Sequence, residues 1–60
     1  MVEIKNYIIN VRHICYIEKD EATLSLFLFY SFKNYIRFDF NTREEYIHNL
    51  IKLEGALNAL

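Results

Sequence analysis

Thr23-Leu24-Ser25-Leu26-Phe27-Leu28-Phe29-Tyr30-Ser31-Phe32, followed by Lys33-Asn34 and then Tyr35-Ile36-Arg37-Phe38-Asp39-Phe40, decides how this chain folds. Residues 23–32 are dense in aromatic and leucine side chains and bounded by polar breaks, which predicts a strand. Lys33-Asn34 reads as the turn, because Asn tolerates the left-handed conformation that hairpin turns use. Residues 35–40 alternate cleanly, with Ile36, Phe38 and Phe40 on one face and Tyr35, Arg37 and Asp39 on the other.

The hairpin register fixes the two faces, since a slip of one residue exchanges them. With an odd residue count in the loop, Leu24, Leu26, Leu28 and Tyr30 join Ile36, Phe38 and Phe40. With an even count, Phe27 and Phe29 take their place. The odd register is preferred because it collects the strongest apolar set on one side.

Working toward the N-terminus, Tyr7–Asn10 and Ile14-Cys15-Tyr16-Ile17 are two β-prone pieces separated only by Val11-Arg12-His13. They are expected to form one bent or bulged strand, or two short strands meeting at a turn. The charged run Glu18-Lys19-Asp20-Glu21 marks a tight connection. A four-residue loop at Lys19 to Ala22 would place Cys15 and Ile17 in the core.

Toward the C-terminus, Thr42-Arg43-Glu44-Glu45 is a capping box that opens a helix: Thr42 takes an orphan amide and Glu45 reaches back. Glu44 and Glu45 also suit the positive end of the helix dipole. Tyr46, Ile47, Leu50, Ile51 and Leu57 recur at helical spacing as the expected buried stripe. Gly55 either caps the helix or is carried within it. The fold class that follows is α+β: a small antiparallel meander of three to four strands and one C-terminal helix packed on one sheet face.

Sixty residues make one compact domain, 1–60, and leave few positions for a large active site once a core is filled. A hydrophobic fraction of 53%, no proline and one glycine exclude a disordered or low-complexity chain. Seven basic against eight acidic residues give a formal charge of −1, without the cationic excess that phosphate-driven nucleic-acid binding uses. A single cysteine cannot form an internal disulfide, which fits a reducing interior. Glu3 and Lys5 interrupt any leader-like apolar run, and no stretch is long enough to span a bilayer. The chain is therefore expected to be cytoplasmic, with no membrane partner.

Conventional chemistry is sparse. His13 and Cys15 are the only close His/Cys pair and His48 the only further candidate, short of a four-ligand metal site, so no metal or cofactor is expected. Cys15 reads as a core thiol beside a rim histidine. Glu18, Asp20 and Glu21 read as a solvated turn, Glu44 and Glu45 as capping residues, and Arg37 with Asp39 as a surface ion pair. There is no phosphate loop, nucleophile elbow or zinc-protease motif. A non-enzymatic protein is the expectation.

In the preferred register the face away from the helix carries Tyr16, Phe27, Phe29, Tyr35 and Arg37, an aromatic surface that one helix cannot also cover. These five are the candidate binding residues. The primary reading is self-association, a two-fold dimer favoured in a face-to-face or edge-to-edge arrangement, with action on a protein partner. The alternative is a platform on which single-stranded nucleic acid stacks, with Arg12, Lys33 and Arg37 as cations. In size and composition the chain resembles small products of AT-rich bacterial or phage genomes. That resemblance implies an inhibitor or adaptor that occludes a host surface. An exposed sheet edge offers a further mode, capture of a partner's strand.

Overall fold

The computed structural model describes residues 1–60. It opens with a hairpin, β1 (Val2–Ile4) paired antiparallel with β2 (Tyr7–Ile9) through Lys5-Asn6. A 3₁₀ turn over Val11–His13 then leads to β3 (Tyr16–Asp20), β4 (Ser25–Phe29) and β5 (Tyr35–Asp39), an antiparallel meander in the order β3-β4-β5. The helix α1 (Arg43–Asn58) closes the chain. An α+β fold with its helix packed against antiparallel strands is what the residue pattern predicts.

The N-terminal hairpin was not legible as such. Val2 and Ile4 are buried and Glu3 is exposed, a true alternation but only three residues long. Tyr7–Ile9 pairs with this strand and not with residues 14–17. The break is made by the Asn10 side chain, which accepts from the Arg12 N–H at 3.1 Å and starts the 3₁₀ turn. The hairpin turn holds Lys5 at φ 54°, in the left-handed region, with its ammonium 5.3 Å from the centroid of the Phe40 ring.

The first three residues of the charged run expected as a connection, Glu18 to Asp20, are instead part of β3, where Glu18 pairs with Phe27 and Asp20 with Ser25. An edge strand with solvated positions accepts charges readily. The loop is Glu21–Leu24, still four residues, and the Asp20 carboxylate holds it by accepting from the N–H groups of Ala22 and Thr23 at 3.1 and 3.3 Å. Because the loop length is unchanged, Ile17 keeps its place against the core. Cys15 does not: it is exposed, lying ahead of the paired segment. The core-thiol reading is thereby corrected.

β4 stops at Phe29, three residues before the expected end. A five-residue loop, Tyr30–Asn34, replaces the two-residue turn. The Tyr30 N–H donates to the Asn34 carbonyl at 3.1 Å, and the Asn34 amide donates to Ser31 Oγ at 2.7 Å. Phe32 stands at its tip, 83% exposed. Five is odd, and the preferred register holds: Leu26 pairs with Phe38 and Leu28 with Ile36. Leu26, Leu28, Phe38 and Phe40 are buried, whereas Tyr30 and Ile36, at the open end of that face, are exposed.

The Thr42 hydroxyl accepts from the Glu45 N–H at 3.2 Å, so the cap forms through its first half. The helix passes through Gly55, whose carbonyl accepts from Ala59 N–H at 3.2 Å. Its buried stripe differs from the expected one. Tyr46 and Leu53 are buried, with Leu50, Ala56 and Leu57 packed partly against the core, while Ile47 and Ile51 face solvent. The sequence Tyr46, Leu50, Leu53, Leu57 keeps one azimuth; Ile47 and Ile51 lie a further 100° round. The helix shares its work with the N-terminal hairpin. Together they enclose Val2, Ile4, Val11, Leu26, Leu28, Phe38, Phe40, Tyr46 and Leu53 over one face of the meander. No helix is long and apolar enough to cross a membrane.

Candidate functional site: the outer aromatic face

The register that buries Leu26 and Leu28 sends the odd residues of β4 to the other face. Three rows result, each crossing β3, β4 and β5: Tyr16–Phe29–Tyr35, Glu18–Phe27–Arg37 and Asp20–Ser25–Asp39. All five candidate residues therefore come together on one surface, opposite the helix and the hairpin.

The first row is a ladder of rings. Tyr16 stacks on Phe29 with centroids 4.4 Å apart and planes at 12°. Phe29 tilts against Tyr35 at 5.0 Å, and Phe27 meets Tyr35 edge-on at 5.6 Å. Flanking rings leave Phe29 only 8% exposed, although it faces away from the core. Tyr16 and Tyr35 remain 41% and 50% exposed. Phe29 is thus a support for the two tyrosines, which with the half-buried Phe27 present the accessible aromatic surface.

The charges are ordered by neighbours. The Arg37 guanidinium lies 5.2 Å from the Phe27 centroid, a cation–π contact, and its Nε donates to Asp39 Oδ1 at 2.8 Å. Ser25 Oγ donates to the same carboxylate oxygen and accepts from Thr23 Oγ1 at 3.0 Å. Ser25 is fully buried between the Asp20 and Asp39 strands, and it was missed in the sequence, where a serine in a leucine-phenylalanine run carries no signal of its partner. The Ser25 hydroxyl, then Arg37, hold the Asp39 carboxyl below its ordinary range; the hydrogen bond and charge of Asp39 raise Arg37 in turn. Each ion is fixed further in its charged form. Lys33, expected beside the aromatics, lies in the loop beyond β4, and Arg12 in the 3₁₀ turn.

With Glu18, Asp20 and Asp39 against Arg37, the face carries more carboxylates than cations. Chemically it offers flat rings, phenol hydroxyls and one ordered ion pair. Comparison with protein-family models, with curated proteins and with solved structures gives no match to this chain.

Proposed function

We propose that this protein is a non-enzymatic binding module that self-associates and engages a protein partner through its outer aromatic face, in a regulatory, inhibitor-like or adaptor-like role. The observation that carries this reading is the Tyr16–Phe29–Tyr35 row: three rings in successive contact, Phe29 between the two tyrosines, on the side of the sheet away from the helix and the hairpin. Tyrosine is favoured at interfaces because it gives large rigid apolar area with a polar tip. The charge chemistry supports the same reading. Arg37 and Asp39 are both shifted away from neutrality, Arg37 upward and Asp39 downward, which suits a fixed recognition pair and not proton transfer near pH 7.

Stacking of single-stranded nucleic acid uses similar rings but needs cations along the backbone path. Here three carboxylates share the face with Arg37, which disfavours a polyphosphate. The test is native mass by light scattering and partner binding, for the wild type and for Phe27→Ser combined with Tyr35→Ser. Loss of the oligomer or of partner binding, with far-UV circular dichroism retained, is the expected result. Unchanged mass and binding would remove the face from the function. Binding to an oligonucleotide that falls steeply between 50 and 200 mM salt, on the order of a thousandfold, would move the nucleic-acid reading ahead.

A further inference from the structure

We infer that two copies of this chain join edge to edge along β5, in the antiparallel register that sets Arg37 of each against the partner's Asp39. The inference takes from the reading above only that the chain self-associates; it places that contact at the β5 edge, beside the aromatic face, and leaves the rings themselves to the protein partner.

β5 is the last strand of its sheet, hydrogen-bonded on one side only. The N–H of Phe40 donates to the Leu24 carbonyl at 2.9 Å, and that of Tyr30 to the Asn34 carbonyl at 3.1 Å. These bonds assign the even residues of β5 to the β4 ladder. The odd residues, Tyr35, Arg37 and Asp39, consequently aim their N–H and C=O groups outward, since the two sets alternate along an antiparallel strand. Such an edge is a template for another strand.

Two-fold symmetry and this alternation allow few registers. Centring the pair on Ile36 engages little more than residues 35–37, because Lys33 and Asn34 lie in the loop. Centring it on Arg37 opposes two guanidiniums directly, an unfavourable like-charge pair. Centring it on Phe38 pairs residues 36–40, the first four of them in β5, and sets each Arg37 opposite the partner's Asp39. Arg37 already bonds Asp39 of its own strand at 2.8 Å. The four groups then alternate in sign around a square, every ion beside two opposite charges. On the other face Ile36, 38% exposed, comes beside the partner's Phe40. The opposite edge, β3, has no such self-complementary pair: it carries Glu18, Lys19 and Asp20 in succession, and Lys19 lines a groove with Leu50 and Glu54 of the helix. Joining at β5 makes one six-stranded sheet whose two aromatic faces are continuous.

The test is light scattering on the wild type, on Arg37→Glu, on Asp39→Lys and on an equal mixture of the two variants, with circular dichroism as the check of folding. The wild type is expected at twice the chain mass of 7.3 kDa. Each variant alone puts like charges in opposition and is expected at 7.3 kDa. Their mixture restores opposite charges at both positions and is expected to return to the doubled mass. If Arg37→Glu alone keeps the doubled mass, or the folded mixture stays at single mass, the β5 register is overturned while self-association elsewhere stands. A wild type at single mass at every concentration overturns self-association itself.

Discussion

The Ser25 hydroxyl, buried at the first position of the apolar strand β4, donates to the exposed Asp39 carboxylate fourteen residues away. This bond ties the start of β4 to the end of β5 and also sets Asp39 for Arg37. Ser25→Ala is expected to lower the urea midpoint and to release the ion pair's geometry. Asp39→Asn tests the linkage by pH. A lowered folded-state value means that the contribution is present above the ordinary carboxylate value of 3.8 and is lost as pH falls through the lowered one. The stability difference between wild type and Asp39→Asn should be full at pH 7 and shrink in acid; a constant difference from pH 7 to pH 2 would refute the assignment.

Tyr46 is 1% exposed and its hydroxyl has no hydrogen-bond partner. Burial, then the nearby carboxylates of Glu21 and Asp20, raise the phenol above its ordinary 10.0. An orphaned buried hydroxyl costs roughly 1–3 kcal/mol. Tyr46→Phe keeps the ring that packs edge-on with Phe40, so it is expected to stabilise the fold by about 1 kcal/mol, or a melting temperature some ~4–8 °C higher. The raised value also means that wild-type stability is complete below pH 10 and declines as pH rises through the phenol's folded value. Tyr46→Phe should lack that alkaline decline.

Helix α1 separates packing from propensity. Leu53 is fully buried, and Leu53→Ala should cost about 2–5 kcal/mol, comparable to the whole stability of a core this size and so enough to unfold the chain. Ile51, 63% exposed, should tolerate alanine within about 0.5 kcal/mol. A Cβ at Gly55 meets nothing within 4 Å, so Gly55→Ala should stabilise by about 1 kcal/mol. Thermal melts of the three variants check the order; a larger loss for Ile51 than for Leu53 would mean that the helix is rotated.

On the aromatic face, the rings are expected to divide into support and contact. Phe29→Ser removes the ring between Tyr16 and Tyr35 and should destabilise the fold by about 3 kcal/mol, whether or not a partner is present. Tyr16→Ser, at an exposed ring, should leave the melting temperature within a few degrees and act on partner binding. Equal effects of both variants on the melt would contradict this division.

Several elements announce themselves locally. The Tyr35–Phe40 alternation needs no partner to be read, because six alternating residues fix two faces. Thr42 caps the helix through a bond three residues away, and such short-range geometry is written in neighbouring residues. The candidate face was legible for the same reason: the odd loop after β4 sends Phe27, Phe29, Tyr35 and Arg37 together, and the even, four-residue loop before it adds Tyr16.

What only the tertiary structure decided is which apolar residues find a cover. Val2–Ile4 is too short to stand out and becomes a strand by pairing with Tyr7–Ile9 and lying against the helix. Tyr46, Ile47, Leu50, Ile51, Leu53 and Leu57 surround so much of α1 that its own pattern does not select a face; the hairpin and sheet select Tyr46 and Leu53. Cys15 and Tyr30, apolar enough for the core by composition, lie past the end of the paired rows, where the hairpin leaves a groove along Tyr7, Ile8 and Tyr30 and does not close over them. Sequence fixes local conformation and parity through bonds between near neighbours, whereas burial depends on the distant segments that happen to arrive on top.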